Sequence, residues 1–290
     1  MSLGIPSQGV SVPWQILQGV RKLRRAQHRN GCAVGCDIDR PDDSRLPWSS
    51  DGEYGGWGGH EYHGTDAQSD RRPVIFVHGN QRDACDWEPH ASFFGQRGYA
   101  GDDLWAITFR DGTPTHESMA DQLDAFVRKV RAHTGAETVD VVGHSLGVTG
   151  LRYWLASRGR FGWVETLVGL AGANHGTVLS TWCVESGLRG GAYGCNEFLR
   201  ADYADVPNHP LASLNEAETP GDIDYYTIRG TDDPLFWRCR DSPMLDGATN
   251  LLLETGHDGV RTDRQAIEHV FKWVSGTHPY NVQNLVALSD

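Results

Sequence analysis

Nowhere does this chain run to the ~18 consecutive apolar residues of a membrane span, so no transmembrane helix is expected. A basic excess is missing too. The 26 Lys and Arg face 38 Asp and Glu, and a net charge of −12 argues against a general nucleic-acid binder. Lysine is scarce beside arginine, and Asp outnumbers Glu, a bias that points to no particular chemistry. Six cysteines (32, 36, 85, 183, 195 and 239) in 290 residues are too scattered for a small disulfide scaffold. Cys32 and Cys36 have a loosely metal-like spacing, but no second pair completes a zinc site. Cys183 and Cys195 bracket a glycine-rich segment and would close a loop there in an oxidising compartment. The basic cluster Arg21-Lys22-Leu23-Arg24-Arg25 is not followed by the apolar stretch of an export signal. A cytoplasmic protein is expected if Met1 is the native start, and a secreted one if a leader was removed. There is no internal repeat, and nothing in the sequence speaks to the oligomeric state.

What is present divides at about residue 70. Residues 1–70 show no sustained hydrophobic period. Gly55-Gly56-Trp57-Gly58-Gly59 reads as loop chemistry, because a dinucleotide fingerprint needs a strand before it and a helix after it. His60 and His63 in the same stretch, three residues apart, have a spacing that could hold a metal, but they read instead as surface loop residues, with no metal expected. This part is expected to form an irregular N-terminal extension packed on or beside a core. Residues 71–290 alternate instead. Short apolar runs at Val74–Val77 and Leu104–Phe109 read as buried strands, and Thr138–Val142, Leu167–Leu170, Ile223–Ile228 and Leu251–Leu253 supply further strands. Between them Met119, Leu123, Phe126, Val127 and Val130 fall on one face of a helix over 117–131. Ile267, Val270, Phe271 and Val274 mark a closing amphipathic helix. Strands separated by helices predict an α/β fold with a mostly parallel central sheet covered on both faces. An insertion at about 171–221 interrupts the alternation and is expected to overhang the site as a cap or loop region.

The chemistry concentrates at Gly143-His144-Ser145-Leu146-Gly147, between the apolar run ending at Val142 and a helix-compatible segment, 148–157. Strand, Gly-x-Ser-x-Gly, helix is the layout of a nucleophile elbow, in which a tight turn lifts one serine above the sheet. A side chain two residues either side of the serine would collide with the neighbouring strand and helix. A serine hydroxyl is a weak nucleophile and needs a base and a group to orient that base. Such triads on this layout run Ser, acid, His, each after a strand. Here Gly230-Thr231-Asp232-Asp233-Pro234 follows one strand and Thr255-Gly256-His257-Asp258-Gly259 follows the next. His257 is the candidate base, and either Asp232 or Asp233 is the acid. Asp258 reads as structural. The oxyanion donors are expected to be the backbone N–H of Leu146 and, from the loop His78-Gly79-Asn80-Gln81, that of Asn80. Trp182, Tyr193 and Phe198 in the insertion, and Leu235, Phe236 and Trp237 after the acid, are candidates to bind an acyl chain.

Val77-His78-Gly79-Asn80, Gly143–Gly147, Asp233 and His257 together resemble the bacterial class 2 lipases of the α/β-hydrolase fold. Within that group the likeness is greatest to extracellular polyhydroxybutyrate depolymerases that act on amorphous polymer. It extends over roughly residues 50–275, through the glycine-aromatic stretch, Gly98-Tyr99 and His133-Thr134-Gly135. The resemblance implies an α/β-hydrolase with Asp233 as acid and a carboxylic ester, lipid or polyester as substrate. It implies a serine acyl-enzyme and no redox or nucleotide cofactor. An acyltransferase on the same triad is the alternative.

Overall fold

The computed structural model describes residues 39–67, 71–187 and 196–276. Strand β1 (Tyr54–Gly58) is followed by a one-turn helix α1 (His60–His63). β2 (Val74–Val77), α2 (Glu88–Gly95), β3 (Leu104–Phe109) and α3 (His116–Thr134) come next. Then follow β4 (Val139–His144), α4 (Leu146–Arg158) and β5 (Val164–Leu170). Beyond β5 lie α5 (Val178–Glu185), α6 (Pro210–Leu214), β6 (Asp224–Gly230), β7 (Thr249–Leu253), α7 (Gly259–Thr262) and α8 (Arg264–Val274). The seven strands form one sheet in the order β1-β3-β2-β4-β5-β6-β7, parallel throughout except for β1, which runs antiparallel to β3.

Local chemistry accounts for most of these elements. β2, β3 and β4 are buried at every position, so both sheet faces are covered and the strands read as continuous apolar runs rather than alternating ones. α3 opens on Thr115, whose hydroxyl accepts the Ser118 N–H, and closes on Gly135 in the left-handed conformation. Its buried face holds Met119, Leu123, Phe126, Val127 and Val130, as the 3.6-residue period requires. α8 is capped by the Asp263 carboxylate and buries Ala266, Ile267, Val270 and Val274. Its Phe271 packs edge-on against Phe93 and Phe94 of α2, with ring centroids 5.7 and 5.2 Å away.

One expectation fails at the sheet edge. Residues 54–58, read above as loop, form β1, and all five are buried. The glycines hide the strand because they carry no side-chain pattern, yet they are what lets β1 approach β3. A Cβ on Gly56 would stand 2.1 Å from the Ala106 carbonyl oxygen, and one on Gly58 2.3 Å from the Trp105 ring. Trp57 is fully buried and donates its indole N–H to the Ala84 carbonyl (2.9 Å). Nor is the 171–221 stretch featureless: α5, α6 and short 3-10 turns at Glu197–Leu199 and Tyr203–Asp205 lie between β5 and β6. Cys85 and Cys183 each take part in a disulfide, and Cys239 is a free thiol. Cys32, Cys36 and Cys195, with the expected loop closure at Cys195, lie outside the described residues, as does the basic N-terminal cluster.

Candidate active site

Parallel strands deliver their following loops to one rim, and the candidate residues leave β2, β4, β6 and β7 at that rim. Ser145 sits between the end of β4 and the first residue of α4 with φ 53° and ψ −121°, a conformation few non-glycine residues adopt. Holding it costs on the order of 1–3 kcal/mol, which the surrounding bonds must offset. The serine N–H donates to the Leu170 carbonyl (2.8 Å), and the serine carbonyl accepts the Val148 N–H (3.1 Å). The flanking glycines are spatially obligatory. A Cβ at Gly147 would lie 2.6 Å from the His78 carbonyl oxygen and 2.7 Å from that of Val77, and one at Gly143 would lie 2.9 Å from the Leu151 side chain. Gly79 is the third close approach, with a Cβ there 3.1 Å from Ser145 Cβ. Strand end, loop and elbow are thus packed backbone to backbone.

His257 bridges the serine and one carboxylate. Its Nε2 lies 3.0 Å from Ser145 Oγ, and its Nδ1 lies 2.7 Å from Asp233 Oδ2. With Nδ1–H donating to the carboxylate, Nε2 is left to accept the hydroxyl proton. Asp233 is buried, and its Oδ1 accepts the Leu235 N–H (2.9 Å). Asp232 is exposed and turns away, bonded through its backbone N–H to the Thr255 carbonyl (3.0 Å). Burial opposes charge on His257, but the Asp233 carboxylate beside it and the hydrogen bond between them outweigh that, so its pKa lies above the ordinary histidine value.

The loop after β2 is held as firmly. His78 is fully buried; its Nδ1–H donates to the Gly79 carbonyl (2.7 Å), and its Nε2 accepts the Phe109 N–H (3.0 Å). Burial lowers its pKa to about 3, so the ring is neutral. The Gly79 carbonyl also accepts the Arg82 N–H (3.2 Å). In a trans peptide the N–H points opposite to the C=O, so fixing the Gly79 carbonyl fixes the direction of the Asn80 N–H. Among the described residues no acceptor meets that N–H, nor the N–H of Leu146 in the first turn of α4.

Four residues around the site escaped the sequence reading. His144 is buried under the elbow, and its Nε2–H donates to the His257 carbonyl (3.0 Å), tying the serine turn to the histidine loop. Burial drives its pKa well down. Arg82 reaches from the Asn80 loop to Asp258 (2.7 Å) and Asp86 (3.6 Å), and Arg261 contacts Asp86 (3.5 Å) and its carbonyl (2.5 Å). Burial raises the Asp86 pKa against the pull of both arginines. Asp258, read as structural, thus anchors the histidine loop to the Asn80 loop. Only the adjacency of Asp258 to His257 and of His144 to Ser145 hinted at any of this.

The expected acyl-binding side chains are dispersed. Phe236 is buried, its ring centroid 6.0 Å from that of His257, and Leu235 and Trp237 are half-buried next to it in the chain. Phe198 stacks at 3.5 Å on His116, which bonds to Thr149 behind the elbow (2.9 Å). Trp182 is half-buried on α5, its indole nitrogen buried with no partner among the described residues. Tyr193 lies outside them.

Two solved lipases share this architecture. The mature form of lipase BlEst2 from Bacillus licheniformis superposes with a TM-score of 0.51 at 19% identity, over 67% of this chain and 88% of that one. Lipase B from Aspergillus fumigatus gives 0.55 at 16% identity, over 85% of this chain and 62% of that one. At such identities the likeness speaks for the α/β-hydrolase fold alone. The sequence match is more specific, for the family model Lipase (class 2) aligns with residues 71–274. The chain therefore belongs to the class 2 lipases and is a carboxylic ester hydrolase.

Proposed function

We propose that the ester is cleaved through an acyl-enzyme on Ser145. The observation that carries this reading is the unbroken relay from Ser145 Oγ to His257 Nε2 and from His257 Nδ1 to Asp233 Oδ2, at 3.0 and 2.7 Å. Ser145 Oγ attacks the ester carbonyl carbon while His257 Nε2 takes its proton, and the buried Asp233 carboxylate stabilises the imidazolium. The oxygen that becomes negative is met by the unengaged N–H groups of Leu146 and Asn80. Losing one such donor typically costs roughly 10²–10³ in turnover. The alcohol leaves with the proton from Nε2, and water then repeats the sequence to free the acid and the serine. The Ser145→Ala variant is expected to lose roughly 10⁶-fold in nitrophenyl-ester turnover with its circular dichroism unchanged. Turnover near the parent level would remove Ser145 from the mechanism, as would fluorophosphonate labelling at any other residue.

For the acyl group we propose a lipid ester, lying against Phe236 beside His257 and against its neighbours Leu235 and Trp237. A polyester of the polyhydroxybutyrate type is the second reading, supported by the sequence likeness over residues 50–275. Nitrophenyl esters from acetyl to palmitoyl, triglyceride emulsion and amorphous polyhydroxybutyrate, assayed side by side, discriminate them. Added alcohol acceptors in the same assay report acyl transfer.

A further inference from the structure

At the opposite rim, where the parallel strands begin, three metal-ligating side chains meet. His60 opens α1 directly after the edge strand, Asp102 lies in the 3-10 turn before β3, and His133 is in the last turn of α3. His60 Nδ1 stands 3.0 Å and His133 Nε2 3.4 Å from the same oxygen, Asp102 Oδ1, and the three ligand atoms all lie within 4.8 Å of one another. His63, three residues on, takes no part. Its Nε2 faces the Leu104 carbonyl (3.4 Å) and its ring packs edge-on against Trp57.

We propose that His60, Asp102 and His133 bind a divalent first-row transition metal, zinc by chemistry, as a clip that fastens the β1–α1 edge to the rest of the sheet. Two imidazoles and a carboxylate are the donors such ions take. With metal–ligand bonds of about 2.0–2.1 Å, a tetrahedral ion holds its ligand atoms roughly 3.3 Å apart. The two imidazole–carboxylate separations, 3.0 and 3.4 Å, lie on either side of that figure, so coordination asks for side-chain adjustments only. Without a cation, one oxygen serves the His60 backbone N–H (2.8 Å) and both rings. With one, the ion replaces the ring contacts, and the His60 proton resides on Nε2.

The surroundings suit an ion held rigidly. Gly101 packs so tightly on His60 that a Cβ there would lie 2.5 Å from its Cα, which fixes one ligand against the turn that carries another. The Asp102 carbonyl is pinned by the Trp105 indole N–H (2.8 Å), and Trp48 stacks on Trp105 at 5.1 Å. The His133 ring lies edge-on to both indoles, at 6.0 and 5.5 Å, an apolar wall on one side of the ligands. The His60 and His133 side chains keep 30% and 26% of their exposure, which leaves a path for the ion and room for water as fourth ligand. The placement makes the site structural, because Ser145 lies at the other rim.

Untagged full-length protein, stripped with chelator, is titrated with zinc by calorimetry and with cobalt by visible absorption. The expected result is one ion per chain, cobalt bands of a four- or five-coordinate site, and a melting temperature raised by roughly 5–10 °C at hundredfold excess of zinc over Kd. His133→Ala should bind zinc at least about 100-fold more weakly, so that the same zinc concentration hardly raises the variant's own metal-free melting temperature, since even outer-shell partners are worth about 10–100-fold. Asp102→Asn should do likewise. Absence of stoichiometric binding, or affinity unchanged in His133→Ala, overturns the site. Either result leaves the serine mechanism untouched.

Discussion

Two glycine-dense stretches, 55–59 and 143–147, do opposite things with the same residue. At the elbow, glycines make room for one strained serine and the chain that turns around it. At β1, they make room for a neighbouring strand, with a backbone carbonyl and an indole ring where side chains would have been. The difference lies in what stands across from each glycine. Gly143 faces Val148 and Leu151 of the adjoining helix, whereas Gly147 faces the Val77 and His78 carbonyls of another strand, so it is the fixed spacing of two glycines around one serine that reveals the elbow. The partners of β1 are about 50 residues away at Trp105 and Ala106, and nothing nearby announces them.

The largest expected effect sharpens the catalytic side of that contrast. Asp233→Asn removes the charge that favours imidazolium and leaves Nδ1 facing an amide, and kcat/KM should fall by roughly 10⁴. The pH dependence gives a second readout. In the parent, the carboxylate holds the His257 pKa above its ordinary value, so the loss of activity on acidification begins above the usual histidine range. Without that carboxylate, burial dominates and lowers the pKa, so the acid limb of the variant should move to lower pH. A limb that stays put, or moves up, contradicts the proposed pairing.

Alanine placed in each glycine stretch tests the comparison directly. Gly56→Ala puts a methyl group 2.1 Å from the Ala106 carbonyl oxygen, so β1 must peel away. Overpacking of this kind costs about 1–3 kcal/mol, and a clash with backbone belongs at the upper end. The midpoint of urea unfolding should drop while kcat of the folded protein holds. Gly147→Ala should invert the pattern. Its methyl group presses on the Val77 and His78 carbonyls and shifts the loop that carries Asn80. A displacement of ~1 Å at such a site costs about 10²-fold in rate. Equal losses of rate and stability in both variants would erase the distinction between a catalytic and an architectural glycine.

Much of the molecule was legible because its signals are short-range. Short runs rich in apolar residues gave the parallel strands, the 3.6-residue period gave α3 and α8, and the strand-exit loops gave Ser145, His257 and the Asp232-Asp233 pair. What escaped is stabilised by distant partners. Arg82 meets Asp258 across 176 residues, and His144 meets the His257 carbonyl across 113. A histidine at 60 acquires meaning only when Asp102 and His133 arrive from other elements. Polar contacts of this sort leave no periodicity, because the fold rather than the neighbouring sequence supplies the partner.

The smallest expected effect belongs to Asp232, one of two adjacent carboxylates that only the family resemblance separated, in favour of Asp233. Consecutive residues leaving a strand point to opposite sides, so only one can face the histidine. Asp233 faces inward and is buried, with Oδ1 held by the Leu235 N–H and Oδ2 by His257. The neighbouring carboxylate is exposed, and its anchoring contact, the N–H to the Thr255 carbonyl, belongs to the backbone and survives substitution. Exposed substitutions of this kind usually change free energies by less than about 0.5 kcal/mol, or roughly twofold in rate. Asp232→Asn should therefore keep kcat/KM within that range and leave the acid limb where it was. A drop approaching that of Asp233→Asn would mean that the two side chains exchange places during turnover, and that the carboxylate nearest in the resting protein is not the one that holds the imidazolium.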